Sequence, residues 1–322
     1  MRSLLEILAA GELVTGEEAA RELGITRAAV WKRIDALRAE GWEIRSAGKR
    51  GYRLETGDSL RPETWTGRLT TRRLGRGENR WLQETDSTNT QVKRMAMAGA
   101  PDGSLCLAEM QTAGRGRLDR RWVSPAGKGL WLTVLLRPRL APQQAPMITF
   151  CAALAMARAV RETTGLSAAL KWPNDLVLDG RKVCGILLEM GADPERIEYV
   201  AVGTGLNVLP GAYPPELADR AVSLGELQPA LPPRREILTA YLAALEAAVD
   251  RLEGEGAAPI LADCRARMCT LGQPVRVSGS VSFAGVAEEL DEDGALLVRD
   301  EDSTLRRVVA GDVSVRGVMG YV

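Results

Sequence analysis

The chain has 322 residues, 45% apolar and 26% charged, with 42 Lys+Arg against 42 Asp+Glu. This is a globular composition with material for roughly two or three domains, and a neutral chain can hold nucleic acid only through local charge asymmetry. Histidine is absent, which excludes Ser–His and Cys–His nucleophiles, histidine zinc sites and histidine acid–base chemistry.

Five cysteines (Cys106, Cys151, Cys184, Cys264, Cys269) include no C-x-x-C pair and read as buried, reduced thiols. The opening apolar run is broken by Glu6 and is too short for a signal peptide, and no apolar run reaches membrane-spanning length. A cytoplasmic protein without a membrane partner is expected.

Leu4, Leu5, Ile7 and Leu8 stand at helical spacing. Thr15 and Glu18 form a capping box for a second helix through Leu23. Gly24 and Ile25 make a tight turn, and Thr26 caps a third helix. On that helix Val30, Ile34 and Leu37 face inward, leaving Arg27, Ala28, Trp31 and Lys32 outward. Helix, glycine turn, helix is the helix-turn-helix pattern, whose second helix enters the major groove. Ile44, Tyr52 and Leu54 then alternate around a tip carrying Lys49 and Arg50, a two-stranded wing. Between Arg27 and Arg53 eight Lys/Arg face three Asp/Glu, the local excess that phosphate binding needs. A small helical core with a solvated basic face is the competing reading. DNA binding is favoured.

Residues 62–79 are polar and rich in Gly and Arg, so they read as a linker. A strand starting at Trp81 ends near Thr85 and Asp86. Ser87, Thr88 and Asn89 then open a helix reaching about Ala98. Ser87 reads equally as an N-cap and as a ligand-facing hydroxyl, since a helix N-terminus is itself a polar-ligand site. Residues 104–109 form a buried strand delivering Gln111 to an arginine loop: Gly114, Arg115, Gly116, Arg117, Leu118, Asp119, Arg120, Arg121, Trp122. Arginine forks suit phosphate and carboxylate, and glycine lets backbone N–H groups approach an anion. A solvated basic loop or a nonspecific RNA contact would have the same composition.

Residues 129–137 read as a strand and 146–164 as a buried, Ala-rich helix. A short strand, 168–172, ends at Pro173, which puts Asn174 and Asp175 in a turn before the strand 176–178. Asp179 and Gly180 turn the chain back into the strand 182–189. Lys182 lies there among Val183, Ile186, Leu187 and Leu188, where an unpaired ammonium is expensive; an anion ligand or a snorkelling side chain would satisfy it. A strand over 199–202 precedes Gly203, Thr204, Gly205, Leu206 and Asn207. Residues 210–233 are Pro-rich and loop-like, 235–253 an amphipathic helix, and a short helix ends near Met268. From Leu271 short alternating strands, with turns at 291–294 and 302–303, predict a small barrel.

Five segments resemble, in order, the signature of biotin–protein ligases: Thr85 to Asn89, Gln111 to Ala113, the arginine loop, the KWPND stretch Lys171 to Asp175, and Arg181 to Ile186. Gly203 to Asn207 matches the family's Gly-x-Gly-x-Asn segment. The resemblance spans essentially the whole chain, including the helix-turn-helix that only some ligases carry. It implies an α+β protein: a winged helix-turn-helix over 1–60, a linker over 61–79, a mixed α/β ligase domain over 80–269, and an SH3-like barrel over 270–322.

The implied reaction joins biotin to ATP with Mg²⁺, giving biotinyl-5′-AMP, and then transfers biotin to a lysine of a biotin carboxyl carrier protein. No P-loop or Rossmann fingerprint is present, so the arginine loop is the expected phosphate cradle. Arg115, Arg117 and Lys182 are the expected catalytic cations. Ser87, Thr88, Asn89, Gln111 and Gly116 join those cations around biotin. Gly114, Arg120, Arg121, Trp122, Asn174, Asp175 and Asn207 are expected at the adenylate and its loop, with Asp175 a candidate Mg²⁺ ligand. Arg27, Ala28, Trp31, Lys32, Lys49 and Arg50 would meet operator DNA, bound by a homodimer that represses biotin-synthesis genes. Two alternatives stay open: a lipoate or octanoate ligase, and a biotin-responsive transcription factor without ligase activity.

Overall fold

The computed structural model describes residues 3–9, 13–39, 42–54, 57–193, 195–279, 281–310, 313–317 and 321. The chain divides into two compact units, Met1–Thr70 with Pro233–Thr239, and Thr71–Pro232 with Ala240–Val322.

In the first unit, α1 (Leu4–Leu8), α2 (Gly16–Leu23) and α3 (Arg27–Ala39) surround a core of Leu4, Ile7, Leu8, Ala19, Val30 and Ile34. The predicted capping box is formed: Glu18 N–H donates to Thr15 Oγ1 at 3.2 Å and Thr15 N–H to Glu18 Oε2 at 2.8 Å. Gly24 closes α2 at φ 64°, and Thr26 Oγ1 accepts from Ala29 N–H. β1 (Ile44–Ser46) and β2 (Tyr52–Leu54) pair antiparallel as the wing. Gly51 is required there, because a Cβ would fall 2.3 Å from Val14 O. The expected linker contains two 3-10 turns, Pro62–Thr64 and Thr66–Arg68, in which Trp65 is fully buried.

The second unit is built on a seven-stranded mixed sheet. Its strands are β3 (Asn79–Thr85), β4 (Leu105–Gln111), β5 (Gly129–Leu136), β6 (Ala169–Lys171), β7 (Asp175–Leu178), β8 (Arg181–Ala192) and β9 (Ile197–Asn207), in the order β3-β4-β5-β9-β8-β7-β6. Only β3 and β4 run parallel. α4 (Thr88–Met97) crosses between them and packs Val92, Met95 and Ala96 against Cys106, Leu135 and Ala201. α5 (Met147–Thr164) is buried nearly all round, as its composition predicts. After a short helix, α6 (Leu224–Leu227), within the expected loop 210–233, comes α7 (Arg234–Glu255), whose Tyr241 hydroxyl lies 2.9 Å from Thr204 Oγ1 of β9. α8 (Ala257–Arg265) precedes a five-stranded antiparallel sheet.

That sheet comprises β10 (Pro274–Gly279), β11 (Phe283–Leu290), β12 (Leu296–Asp300), β13 (Leu305–Val308) and β14 (Val313–Gly317), ordered β13-β12-β11-β10-β14. The predicted barrel is not closed among the described residues: β13 and β14 are the two edges. Alternation reveals strands, whereas closure depends on tilt and register, which alternation does not encode. Burial pushes the Cys106 and Cys151 thiols up to about 12, so they are packing groups, while Cys269 is only half-buried. No helix of the described residues is long and apolar enough to cross a membrane.

Candidate functional site

The site begins with missing side chains. Gly185 of β8 pairs with Gly205 of β9, and Leu187 with Gly203. A Cβ on Gly203 would fall 2.2 Å from Asn89 Oδ1, one on Gly205 2.5 Å from Trp122 Nε1, and one on Gly185 3.0 Å from Lys182 and Trp122. The three glycines therefore let a helix terminus and an indole close over the sheet. Between them lies a cavity of about 270 Å³. The strand expected over 199–202 is longer than the sequence reading gave it: β9 runs from Ile197 through Asn207, its glycines serving close approach.

One wall is the start of α4. Ser87 occupies the N-cap but its side chain makes no capping bond; it is buried and lines the cavity with Thr88 and Asn89. Thr88 donates N–H and Oγ1 to Gln111 Oε1 at 2.9 and 3.2 Å, and Gln111 Nε2 donates to Ser124 Oγ at 2.8 Å. Thr133, fully buried on β5, lies 2.8 Å from Thr88 Oγ1 and 2.6 Å from Asn89 Oδ1. Asn89 Nδ2 donates to Glu189 Oε2 at 2.7 Å. Each amide is thus held in one orientation.

The second wall is the arginine loop, a tight turn. Trp122 N–H donates to Gly114 O at 2.9 Å and Gly116 N–H to Arg120 O at 2.7 Å, with Leu118 and Asp119 at φ 56° and 54°. Such values are uncommon for a leucine and mark local strain. Gly114 is required because a Cβ would meet Trp122 O at 2.4 Å; Gly116 has ordinary room, its nearest neighbour at 3.5 Å. Arg115 Nη2 lies 3.2 Å from Glu189 Oε1, the oxygen that Lys93 Nζ meets at 2.8 Å. Arg117 donates to Asn174 Oδ1 at 3.3 Å and to Ala310 O. Burial lowers the Arg117 pKa from the ordinary arginine value, with Asp175 opposing. Arg120 and Arg121 are exposed at the rim, and Trp122 Nε1 is buried with no acceptor among the described residues.

The third wall carries the KWPND stretch. Asp175 begins β7 rather than lying in the expected turn. Its Oδ1 sits 2.6 Å from Lys182 Nζ. The cost of an unpaired ammonium in this apolar strand is thus met within the chain, by the Asp175 carboxylate. Burial raises the Asp175 pKa, but Lys182 and Lys171 outweigh it and hold the carboxyl below its ordinary range. Asn174 stitches the turn to β8, donating Nδ2 to Ile186 O at 2.7 Å, and Asn207 Nδ2 donates to Val222 O at 3.1 Å.

A fourth wall was not visible in the sequence. Ala212, Tyr213, Pro214 and Leu217 line the cavity, and their segment is tied to β8: Lys182 N–H donates to Arg220 O at 2.7 Å and Val222 N–H to Lys182 O at 2.9 Å. Proline content marks a loop but says nothing of what the loop covers. Thr133 and Glu189 were also missed, being a lone polar residue and a lone acid in strands.

Residues 81–207 match the biotin/lipoate A/B protein ligase family, 1–53 a helix-turn-helix domain, and 270–316 the biotin protein ligase C terminal domain. The bifunctional ligase/repressor BirA of Bacillus subtilis (strain 168) is 32% identical to the chain over 98% of each. The chain belongs to the biotin/lipoate A/B protein ligase family. BirA of Escherichia coli (strain K12) is 30% identical over 97% of this chain and 96% of its own. The family fold appears also in the biotin protein ligase from Aquifex aeolicus in complex with biotin and ATP, at TM-score 0.65 and 29% identity, covering 74% of this chain and 99% of that one.

The cavity suits the anionic ligands of such a family. Arg115, Arg117, Arg120, Arg121, Lys171, Lys182 and Arg220 line it, against Asp175 as the one lining carboxylate among the described residues. Those residues include no cluster of three or more acidic or cysteine side chains able to hold a metal. In the first unit Arg27, Ala28, Trp31, Lys32 and Arg50 are exposed, Trp31 by 56%, while the side chain of Lys49 lies outside the described residues.

Proposed function

We infer that this chain is a biotin–protein ligase that also represses transcription. The observation that carries the ligase reading is the convergence of seven cations and a hydroxyl–amide cluster on one cavity floored by glycine. Ser87, Thr88, Asn89 and Gln111 offer the paired donors and acceptors that a ureido ring needs. Arg115, Arg117 and Lys182 serve the carboxylate and the α-phosphate, and Gly116, unconstrained by its own chain, gives backbone access. Arg120, Arg121 and Trp122 close over the adenylate, with Trp122 Nε1 a ready donor, while Asn174 and Asn207 hold the walls. Gly114 sets the turn. The segment with Ala212, Pro214 and Leu217 supplies an apolar surface for the nucleoside.

A carboxylate oxygen of biotin attacks the α-phosphorus, and the bond to the pyrophosphate oxygen breaks. The amine of a carrier-protein lysine then attacks the acyl carbon and releases AMP. Neither step needs a protein nucleophile, so positioning and charge neutralisation are the chain's contribution. Mg²⁺ would enter on the ATP phosphates. Asp175, its oxygens already engaged by Lys182 and Tyr321, could add a metal only through lone pairs that those partners leave open.

The repressor reading is carried by α3, whose outward face exposes Arg27, Trp31 and Lys32 above a buried Val30 and Ile34. A homodimer on a two-fold operator is the matching assembly. We keep 1–60, 80–269 and 270–322 as DNA-binding, catalytic and SH3-like domains, the last supported by its size, antiparallel order and the bulge at Ala287/Glu289. ATP–pyrophosphate exchange with Mg²⁺, biotin against lipoate, tests the ligase. Biotin-dependent exchange is expected. Exchange with lipoate alone would move the protein to the lipoate branch, and none with either would leave a sensor.

A further inference from the structure

The Asp175–Lys182 pair is gripped from outside the ligase sheet. Tyr321 donates its hydroxyl to Asp175 Oδ2, while Asp175 Oδ1 lies 2.6 Å from Lys182 Nζ. The Tyr321 ring stands 4.4 Å from Lys171 Nζ, and Lys171, itself buried, donates to Val315 O at 3.0 Å. Neighbouring contacts repeat the theme: Trp172 Nε1 donates to Gly294 O at 3.0 Å, and Trp172 N–H to Thr270 Oγ1 at 3.0 Å. Asp175 is largely buried at the cavity wall, so its oxygens depend on partners within the chain.

A carboxylate with one hydrogen-bonded oxygen can still rotate about its terminal torsion, which is broad for Asp. Fixing Oδ2 fixes Oδ1, and with it the ammonium that Oδ1 holds. We propose that Tyr321 is a positioning residue for the ligase reaction: it locks the Asp175 carboxylate and so sets where Lys182 Nζ presents its charge to the reacting carboxylate and phosphate. The ring does separate work, sitting against the buried Lys171 ammonium. The hydroxyl and the ring therefore fail differently when removed.

This rests on Lys182 serving the reacting anion, and the test keeps the two ideas apart. The full-length wild type, Tyr321→Phe, Asp175→Asn and the double variant are compared by biotin-dependent pyrophosphate exchange, with biotin affinity from calorimetry and folding from thermal melts. Tyr321→Phe keeps the ring, so melting and biotin affinity should stay near wild type. Its kcat should fall about tenfold, the effect of one lost hydrogen bond to a charged group. In the Asp175→Asn background the same substitution should change the rate less than twofold, because there is no carboxylate left to lock. An undiminished kcat in Tyr321→Phe, or a full tenfold loss on top of Asp175→Asn, overturns the inference. Tyr321→Ala, which removes the ring too, guards against a silent Phe: if it also leaves kcat unchanged, Tyr321 positions nothing. Absence of exchange in the wild type would instead reject the ligase reading itself.

Discussion

Arg117, half-buried in the cavity wall, donates to Asn174 Oδ1 and to Ala310 O. An anion arriving in the cavity can meet its fork with charge-assisted hydrogen bonds. Arg115 is held by Glu189. Arg117→Ala should leave the melting temperature nearly unchanged and weaken adenylate retention by about 1.5–3 kcal/mol, roughly ten- to hundredfold in off-rate. Release of radiolabelled adenylate from purified protein measures this, and unchanged retention would remove Arg117 from the site. Gly205→Ala acts by a different route. Its Cβ would fall 2.5 Å from Trp122 Nε1, so the indole must leave the floor. Biotin affinity by calorimetry should drop more than about tenfold, the order of effect of lost shape complementarity in a packed site; wild-type affinity would show that Trp122 adapts.

Helix α7 fastens the segment before β3 through one carboxylate. Glu246 is buried and accepts from the N–H groups of Arg72, Arg73 and Leu74 at 2.8, 2.9 and 3.0 Å. Burial raises its pKa, but those bonds outweigh it and hold the carboxyl below its ordinary range. Glu246→Ala should destabilise by about 1–3 kcal/mol, since three donors lose their acceptor. A depressed folded-state pKa gives stability that is present above the unfolded value, about 4.3, and lost as pH falls through the folded value. The gap in unfolding free energy between wild type and Glu246→Gln should thus be constant from pH 5 to 8 and shrink in stronger acid. A gap that widens in acid would contradict this. No such clasp was legible in the sequence, because its partners are 172 to 174 positions apart. What was legible shared one property: the capping box at Thr15, the wing about Lys49 and Arg50, the buried α5 and the KWPND stretch are local patterns. The glycine floor, Thr133, Glu189, the wall at Ala212 and the Tyr321 contact depend on pairing across strands, and each looked ordinary in its own segment.

Across the whole chain the charges cancel, 42 against 42, so the two proposed activities depend on how that neutral total is distributed. The excess from Arg27 to Arg53 belongs to the first unit, whereas the cavity cations belong to the second. Operator binding should then be governed by a few side chains whose loss leaves catalysis intact. For duplex DNA the logarithm of the binding constant falls with the logarithm of salt by about 0.9 per phosphate neutralised. Lys32→Ala and Arg50→Ala should each reduce that slope by about one per half-site contact, weakening binding similarly across sequences. Trp31, exposed by 56% on α3, is placed to touch base edges, so Trp31→Ala should leave the slope alone and narrow the gap between operator and random DNA. Fluorescence anisotropy at several salt concentrations separates the two effects, with pyrophosphate exchange on the same variants as the control. If the slopes of Lys32→Ala and Arg50→Ala match wild type while Trp31→Ala keeps full discrimination, this face does not read DNA, and the helix-turn-helix unit needs another role.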